Sequence, residues 1–270
     1  MQLHIASCSK HSARSVIILA GLVLGTSGVA LGDAIPTGWT CNGVCGTLGA
    51  NGVVTLSPIG NSSYEYVTTA GSLATAPLPA GALGSETNGS TLATPMFSAT
   101  AGTDLNFYFN YVTSDGAGFA DYAWAELFNS SNDPVSLLFT ARTEPSGSIV
   151  PGTGLPAPTA TLNPSSVPII PGGPAWSPLG SYSGDCYSAG CGYTGWVDSN
   201  YTIGTAGNYY LEVGVTNWND TLYDSGLAMD GVTINGVPIN PSPIPEPSTV
   251  VLLGTALVSG AAAIKRRLIA

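Results

Sequence analysis

A chain of 270 residues with 16 Asp and Glu against six Lys and Arg carries a formal net charge of −10, and only 8% of its residues are charged. So few cations disfavour nucleic acid, whose binding releases counterions in proportion to the Lys and Arg engaged. Their placement excludes more: Lys10 and Arg14 stand near the start, Lys265, Arg266 and Arg267 near the end, and Arg142 alone between them.

In chain order, Lys10, His11 and Arg14 precede an apolar run from Val16 to Leu24, and small residues follow at Ala30, Gly32 and Ala34. A basic region, an apolar core and a small-x-small site read as a secretory signal peptide over residues 1–34. Ala30 and Ala34 both fit as the residue before the cut. Neither belongs to a Leu-x-Gly-Cys lipoprotein site, since Cys41 lies too far along. Removal of the leader takes both histidines, His4 and His11. Between Ile35 and Pro247 there remain one cation, no His and no Lys against 15 acids, a net charge of −14. That inventory lacks the base of a Ser-His-Asp or Cys-His site, the imidazole of a His-ligated zinc site, the lysine of a Schiff base and the cation of a P-loop. Carboxylate chemistry of the glycosidase kind needs only two acids, yet scattered acids supply pairs by chance and no glycosidase motif is present. The chain is read as a non-enzyme.

Cys41, Cys45, Cys186 and Cys191 survive processing, an even number that reads as two disulfides in an oxidising compartment. Three connectivities exist. The local pairs Cys41–Cys45 and Cys186–Cys191 are favoured because Gly43 and Gly190 let each short loop fold back. A four-thiolate zinc site is the alternative, and the spacings are not those of a zinc knuckle.

About 210 residues remain for one folded core, 35–237. Leu105–Val112, Tyr122–Phe128, Val135–Thr140, Gly207–Val215 and Gly231–Ile234 are short aromatic and β-branched runs that predict strands, with a turn over Asn129–Pro134. Asn235-Gly236 predicts a hairpin into Val237-Pro238-Ile239. With almost no helical period, the expected fold is an all-β antiparallel β-sandwich, jelly-roll-like. Residues 144–185 are rich in Pro, Gly and Ser and predict a long loop. Residues 113–123 and 216–231 also read as loops after strands. They contribute Asp115, Asp121, Asp220, Asp224 and Asp230, hard oxygen ligands that make Ca²⁺ the single candidate cofactor; the competing reading is that these residues make turns and caps. Trp39, Trp124, Trp176, Trp196 and Trp218 raise sugar stacking. Trp124 falls inside a strand, so Trp176, Trp196 and Trp218 are the better candidates, against a default of buried packing.

Pro recurs at 238, 241, 243, 245 and 247, a semi-extended spacer over residues 238–247. Residues 248–270 then hold an apolar run from Val250 to Ile264 and the cluster Lys265-Arg266-Arg267. The run is short of the roughly 20 residues that span a hydrocarbon core, but Ser248, Thr249 and snorkelling basic side chains extend it to a transmembrane helix. The basic cluster places its end in the cytoplasm and the rest of the chain across the membrane.

The order Pro245-Glu246-Pro247, apolar helix, basic cluster resembles the PEP-CTERM sorting domain of exported bacterial proteins. That resemblance implies an exosortase-type transpeptidase as processing partner. It also implies a chain tethered to the inner membrane and then passed to the cell envelope or extracellular matrix. The loops at 113–123 and 216–231 look like segments common in such proteins and bring no known activity. The expectation is a monomeric surface protein with a structural or adhesive role in the exopolysaccharide layer. A carbohydrate-binding module is the alternative and a carboxylate glycosidase the third reading.

Overall fold

The structure is a computed structural model and describes residues 34–239. The predicted signal peptide up to Asp33, all but the first two residues of the Pro-rich spacer, the sorting motif and the apolar C-terminal segment lie outside the described residues. Among the described residues no helix is long and apolar enough to cross a membrane.

The first strands are β1 (Thr40–Asn42), β2 (Val44–Leu48), β3 (Tyr64–Thr68), β4 (Glu86–Ala93), β5 (Phe97–Ala99) and β6 (Thr103–Thr113). Next come β7 (Tyr122–Asn129), β8 (Pro134–Arg142), β9 (Ser148–Val150), β10 (Thr161–Asn163), β11 (Val167–Pro168) and β12 (Ile170–Pro171). The last are β13 (Gly192–Tyr193), β14 (Val197–Ile203), β15 (Gly207–Trp218), β16 (Ser225–Ile234) and β17 (Val237–Pro238). Two 3₁₀ turns, Ala117–Phe119 and Ser177–Tyr182, complete the described elements.

All pairings named between these strands are antiparallel. One sheet runs β1-β4-β15-β7-β8, with β5 also on β15; the other runs β10-β14-β6-β16-β3-β2. Among the long strands, β3-β16-β6-β14 faces β4-β15-β7-β8, so that chain neighbours alternate between sheets except at the β7–β8 hairpin, which stays within one. This is the order of a jelly roll, two interlocked Greek keys.

Alternation creates the core. Leu105, Phe107, Phe109 and Tyr111 of β6 point inward to meet Ala123, Ala125 and Leu127 of β7 and Leu211, Val213 and Val215 of β15. Phe109 and Phe139 stack between the sheets, centroids 3.7 Å apart. Burying each such ring contributes about 1.5–3 kcal/mol.

Both outer faces are also covered in part. On the β6–β16 sheet, Tyr64, Val112 and Ala228 pack under Trp176 and Leu179. On the β7–β15 sheet, Tyr122, Trp124 and Phe128 pack with Leu78. Residues 144–185 are thus not one long loop. They contain β9 to β12 and the second 3₁₀ turn, and they send the fully buried Trp176 onto the sheet. Residues 216–231 are likewise mostly strand, because β15 continues to Trp218 and β16 begins at Ser225, where every residue through Asp230 is buried. Pro238 pairs with Thr233 across the Asn235-Gly236 turn, so the first residue assigned to the spacer belongs to the sheet.

Candidate functional site

One end of the sandwich is built by three connections: residues 114–121 between β6 and β7, residues 182–191 before β13, and residues 219–224 between β15 and β16. The cysteines pair locally, Cys41 with Cys45 and Cys186 with Cys191, as oxidising conditions permit. The second bridge closes the middle connection, whose Tyr187 N–H donates to Ser114 O at 2.9 Å.

Four of the five predicted Asp ligands gather here. Asp121 is fully buried; Oδ1 accepts from the Trp218 N–H at 2.8 Å and Oδ2 from the Ser225 hydroxyl at 2.6 Å. Asp115 Oδ1 accepts from the Gly116 N–H at 2.6 Å, while its buried Oδ2 has no partner. Asp224 Oδ1 accepts from Thr69 Oγ1 at 2.9 Å, and Asp220 Oδ1 accepts from the Leu222 N–H at 3.0 Å. Burial, with Asp220 adding to it, pushes Asp115 up to about 7. Burial and then Asp115 hold Asp121 well above the usual carboxylate range. Asp230 stands apart, accepting from Ser57 Oγ and from Asn61 Nδ2 beside β3. Among the described residues no three His, Cys, Asp or Glu side chains converge as metal ligands. These carboxyls chiefly accept bonds from strand and loop groups, holding the connections to one another.

Against them lies a row of rings. Phe119 meets Tyr187 edge-on at 5.5 Å, Tyr187 meets Tyr223 at 5.0 Å, and Tyr223 meets Tyr182 at 4.8 Å. Tyr187 is 49% exposed, and the other three are half-buried. They come from three connections, Tyr182 and Tyr187 both from residues 182–191, and the bridge beside Tyr187 ties that connection down.

The tryptophans expected to offer stacking faces do otherwise. Trp176 is fully buried, with Nε1 donating to Tyr64 Oη at 2.9 Å. Trp196 donates to Thr55 O at 3.0 Å and packs its edge on Tyr64. Trp218 lies under the Arg142 guanidinium, 4.9 Å from the ring centroid. Trp39 and Trp124 are core. Aromatic packing under loops, the default for such large rings, therefore accounts for Trp176 and much of Trp196.

A second feature lies on the outer face of the β4–β15–β7 sheet. A cleft of about 460 Å³ is lined by Thr40, Asn42, Thr91, Met96, Tyr210 and Glu212. Glu212 stands directly opposite Glu126 of β7. Glu126 is 2% exposed and its Oε2 has no hydrogen-bond partner. Burial and then Glu212 push it up to about 7, and burial also raises Glu212. Sequence reading missed this pair because only strand register brings the two together.

No family model matches the chain, and no curated protein matches it. Among solved structures it is similar to the K2 cleaved adhesin domain of Lys-gingipain, at 14% identity over 77% of this chain and 93% of that one, with a TM-score of 0.37. The K1 domain of Lys-gingipain from Porphyromonas gingivalis W83 matches at 14% identity over 74% and 91%, TM-score 0.34. A structure of carbohydrate-binding modules from the β-sandwich superfamily matches at 10% identity over 73% of this chain and 56% of that one, TM-score 0.33. At these values the functional reading rests on the chain's own residues.

Proposed function

We propose that this chain is an exported, envelope-sorted bacterial surface protein whose jelly roll has a structural and adhesive role in the exopolysaccharide layer. The observation that carries the adhesive part is the ring row Phe119–Tyr187–Tyr223–Tyr182 at one end of the sandwich. Aromatic faces stack on pyranose rings without needing a charge, which suits a domain whose only cation is Arg142. The rings are held by a disulfide and by backbone bonds, so little side-chain freedom is lost on contact. The reading assigns no catalysis. Pro245-Glu246-Pro247, the apolar run and Lys265-Arg266-Arg267 serve as the sorting signal for an exosortase-type enzyme.

Affinity electrophoresis in gels cast with polysaccharide from the producing cells tests adhesion. The chain is expected to be retarded, and Tyr187→Ala with Tyr223→Ala to run as in a blank gel; equal mobility of both proteins overturns the reading. Intact-mass spectrometry of membrane, envelope and medium fractions tests sorting. The expected species starts near Ile35 and ends near Pro247, whereas recovery only of a form still carrying Lys265-Arg266-Arg267 sinks it. A dedicated carbohydrate-binding module would instead select one glycan from an array.

A further inference from the structure

We propose that the cleft on the outer face of β1, β4 and β15 is a separate binding site for a neutral oligosaccharide, with a sugar ring against Tyr210 and its hydroxyls bonded to Glu212, Thr91 and Asn42.

Strand register builds the cleft. Ala93 of β4 lies between Glu212 of β15 and Thr40 of β1, and Thr91 lies between Gly214 and Asn42. Residues two apart on a strand share a face, so these side chains project together, and the short Ala93 leaves a low floor among them. Past Ala93 the chain departs from β15 through Thr94, Pro95 and Met96, and pairing resumes only where Phe97 of β5 meets Tyr209. Pro95 and the 54% exposed Met96 therefore stand as a wall of the cleft. The same two residues also wall a groove of about 320 Å³ towards β17, so a ligand longer than one sugar finds surface on both sides of them.

The lining groups select the ligand. Tyr210 is fixed, because Phe128 of β7 stacks on it with centroids 5.2 Å apart and its hydroxyl donates to Asn132 Oδ1 at 3.2 Å. With β7 holding one face of the ring, the other is left to the β4 side, where the cleft lies. The Thr91 side chain hydrogen bonds to Glu212 and orients its carboxyl, which keeps lone pairs for the hydroxyls of a sugar. An aromatic face beside carboxyl, amide and hydroxyl groups complements a pyranose, whose C–H face is apolar and whose rim is hydroxylated. An acidic sugar would meet Glu212 with no compensating cation. Arg142, the only Lys or Arg in residues 34–239, donates to Ala120 O at 3.1 Å and Thr153 O at 3.0 Å. At about 460 Å³ the cleft is of small-ligand size. From Tyr210 β15 runs on to Trp218 at the end that carries the tyrosine row, about 26 Å at the usual rise per residue, so this site holds or fails independently of the row.

The test titrates the disulfide-bonded exported chain, by calorimetry, with cellohexaose, laminarihexaose, mannohexaose and maltohexaose, and with hexagalacturonate. At least one neutral hexasaccharide is expected to bind, and hexagalacturonate to bind at least about tenfold more weakly than it. Glu212→Ala and Tyr210→Ala should each weaken the neutral ligand at least about tenfold, the scale of one hydrogen bond to a charged group or one lost stacking face. Tyr210→Phe keeps the ring and should keep the affinity; if Tyr210→Ala does not fold, Glu212→Ala decides. Tyr187→Ala with Tyr223→Ala, which removes the row, should bind the hexasaccharide as the unaltered chain does. Binding of none of the four neutral ligands overturns the proposal, and gel retardation then still decides the adhesive reading. Affinity unchanged by Glu212→Ala, or by a folded Tyr210→Ala, overturns it too, and loss of that binding in the row variant would assign the ligand to the tyrosines. Hexagalacturonate binding as tightly as the neutral ligand also overturns it.

Discussion

Asp121 and Ser225 are 104 positions apart, yet the Ser225 hydroxyl donates to Asp121 Oδ2 at 2.6 Å, joining the sheet of β7 to the sheet of β16. The other oxygen of the same carboxyl accepts the Trp218 N–H, so one buried side chain closes the end of the sandwich. Asp121→Ala should destabilise the fold by about 3 kcal/mol, since it strands the Trp218 N–H, leaves the Ser225 hydroxyl with Thr113 Oγ1 alone and empties the space of a fully buried side chain. Asp121→Asn should cost about 1 kcal/mol or less. Its carbonyl still accepts from Trp218, its amide donates to Ser225, and the Ser225 hydroxyl turns to Thr113 Oγ1, already at 2.8 Å. Urea denaturation measures both, and equal losses would show that the negative charge itself, not the bond pattern, is what matters.

The buried acids make stability pH-dependent in an unusual direction. Glu65, Asp115 and Glu126 are each pushed up to about 7, in every case mainly by burial. Unfolded, they titrate near 4. Between these values the native state holds more protons than the unfolded state, so stability is complete below about pH 4, falls as pH rises to about 7, and levels above. The melting temperature should drop by on the order of 5 °C or more between pH 5 and pH 8, and Asp115→Asn or Glu126→Gln should each flatten the slope. A melting temperature that rises over that interval would contradict the burial argument.

How much of this was legible depends on where each strand's faces go. β6, β7 and β15 show in the sequence because aromatic and β-branched residues crowd their inward positions, and the sandwich follows from them. β4, Glu86–Ala93, does not, because its inward side is Ser90 and Leu92 and its neighbours are Thr, Asn and Gly. Ser225–Asp230 read as loop because Asp and Asn crowd the residues just before it, yet all six are buried: the Ser225 hydroxyl bonds Thr113 and its N–H bonds Thr69 Oγ1, while the Asp230 carboxylate accepts from Ser57 and Asn61. The Asp residues at 115, 121, 220 and 224 were found as a group; their main work as acceptors was the alternative weighed at the outset. The ring row escaped notice because its members come from three separate connections, and only the fold makes Phe119 and Tyr223 neighbours of Tyr187 and Tyr182.

Gly214 of β15 offers a sharp packing test. The Trp124 indole lies across it, so that an added Cβ would come within 2.4 Å of the ring. Trp124 has no easy retreat, since its Nε1 donates to Ala76 O at 3.0 Å. Gly214→Ala should therefore destabilise by about 2–3 kcal/mol through overpacking. Gly102→Ala meets open space but carries a φ of +85°, so its cost, on the order of 1 kcal/mol, is one of backbone strain alone. Thermal melts that rank Gly102→Ala as the worse of the two would count against the Trp124 arrangement.

The Cys186–Cys191 bridge separates stability from adhesion. Its sequence separation is only five, and a loop that short contributes about 2 kcal/mol in the chain-entropy account. Its larger effect is local, because Tyr187 sits inside the bridged loop and packs on Phe119 and Tyr223. Replacing both cysteines with Ser should leave a folded jelly roll, with its core aromatics intact by near-ultraviolet circular dichroism. Retardation by polysaccharide should fall by at least about tenfold in apparent affinity, as Tyr187 regains the freedom the bridge denied it. Replacing Cys41 and Cys45 removes a bridge of similar length at the β1–β2 turn and should cost similar stability while leaving adhesion unchanged. If both double variants lose adhesion alike, the effect is global loosening, and the ring row is not the contact surface.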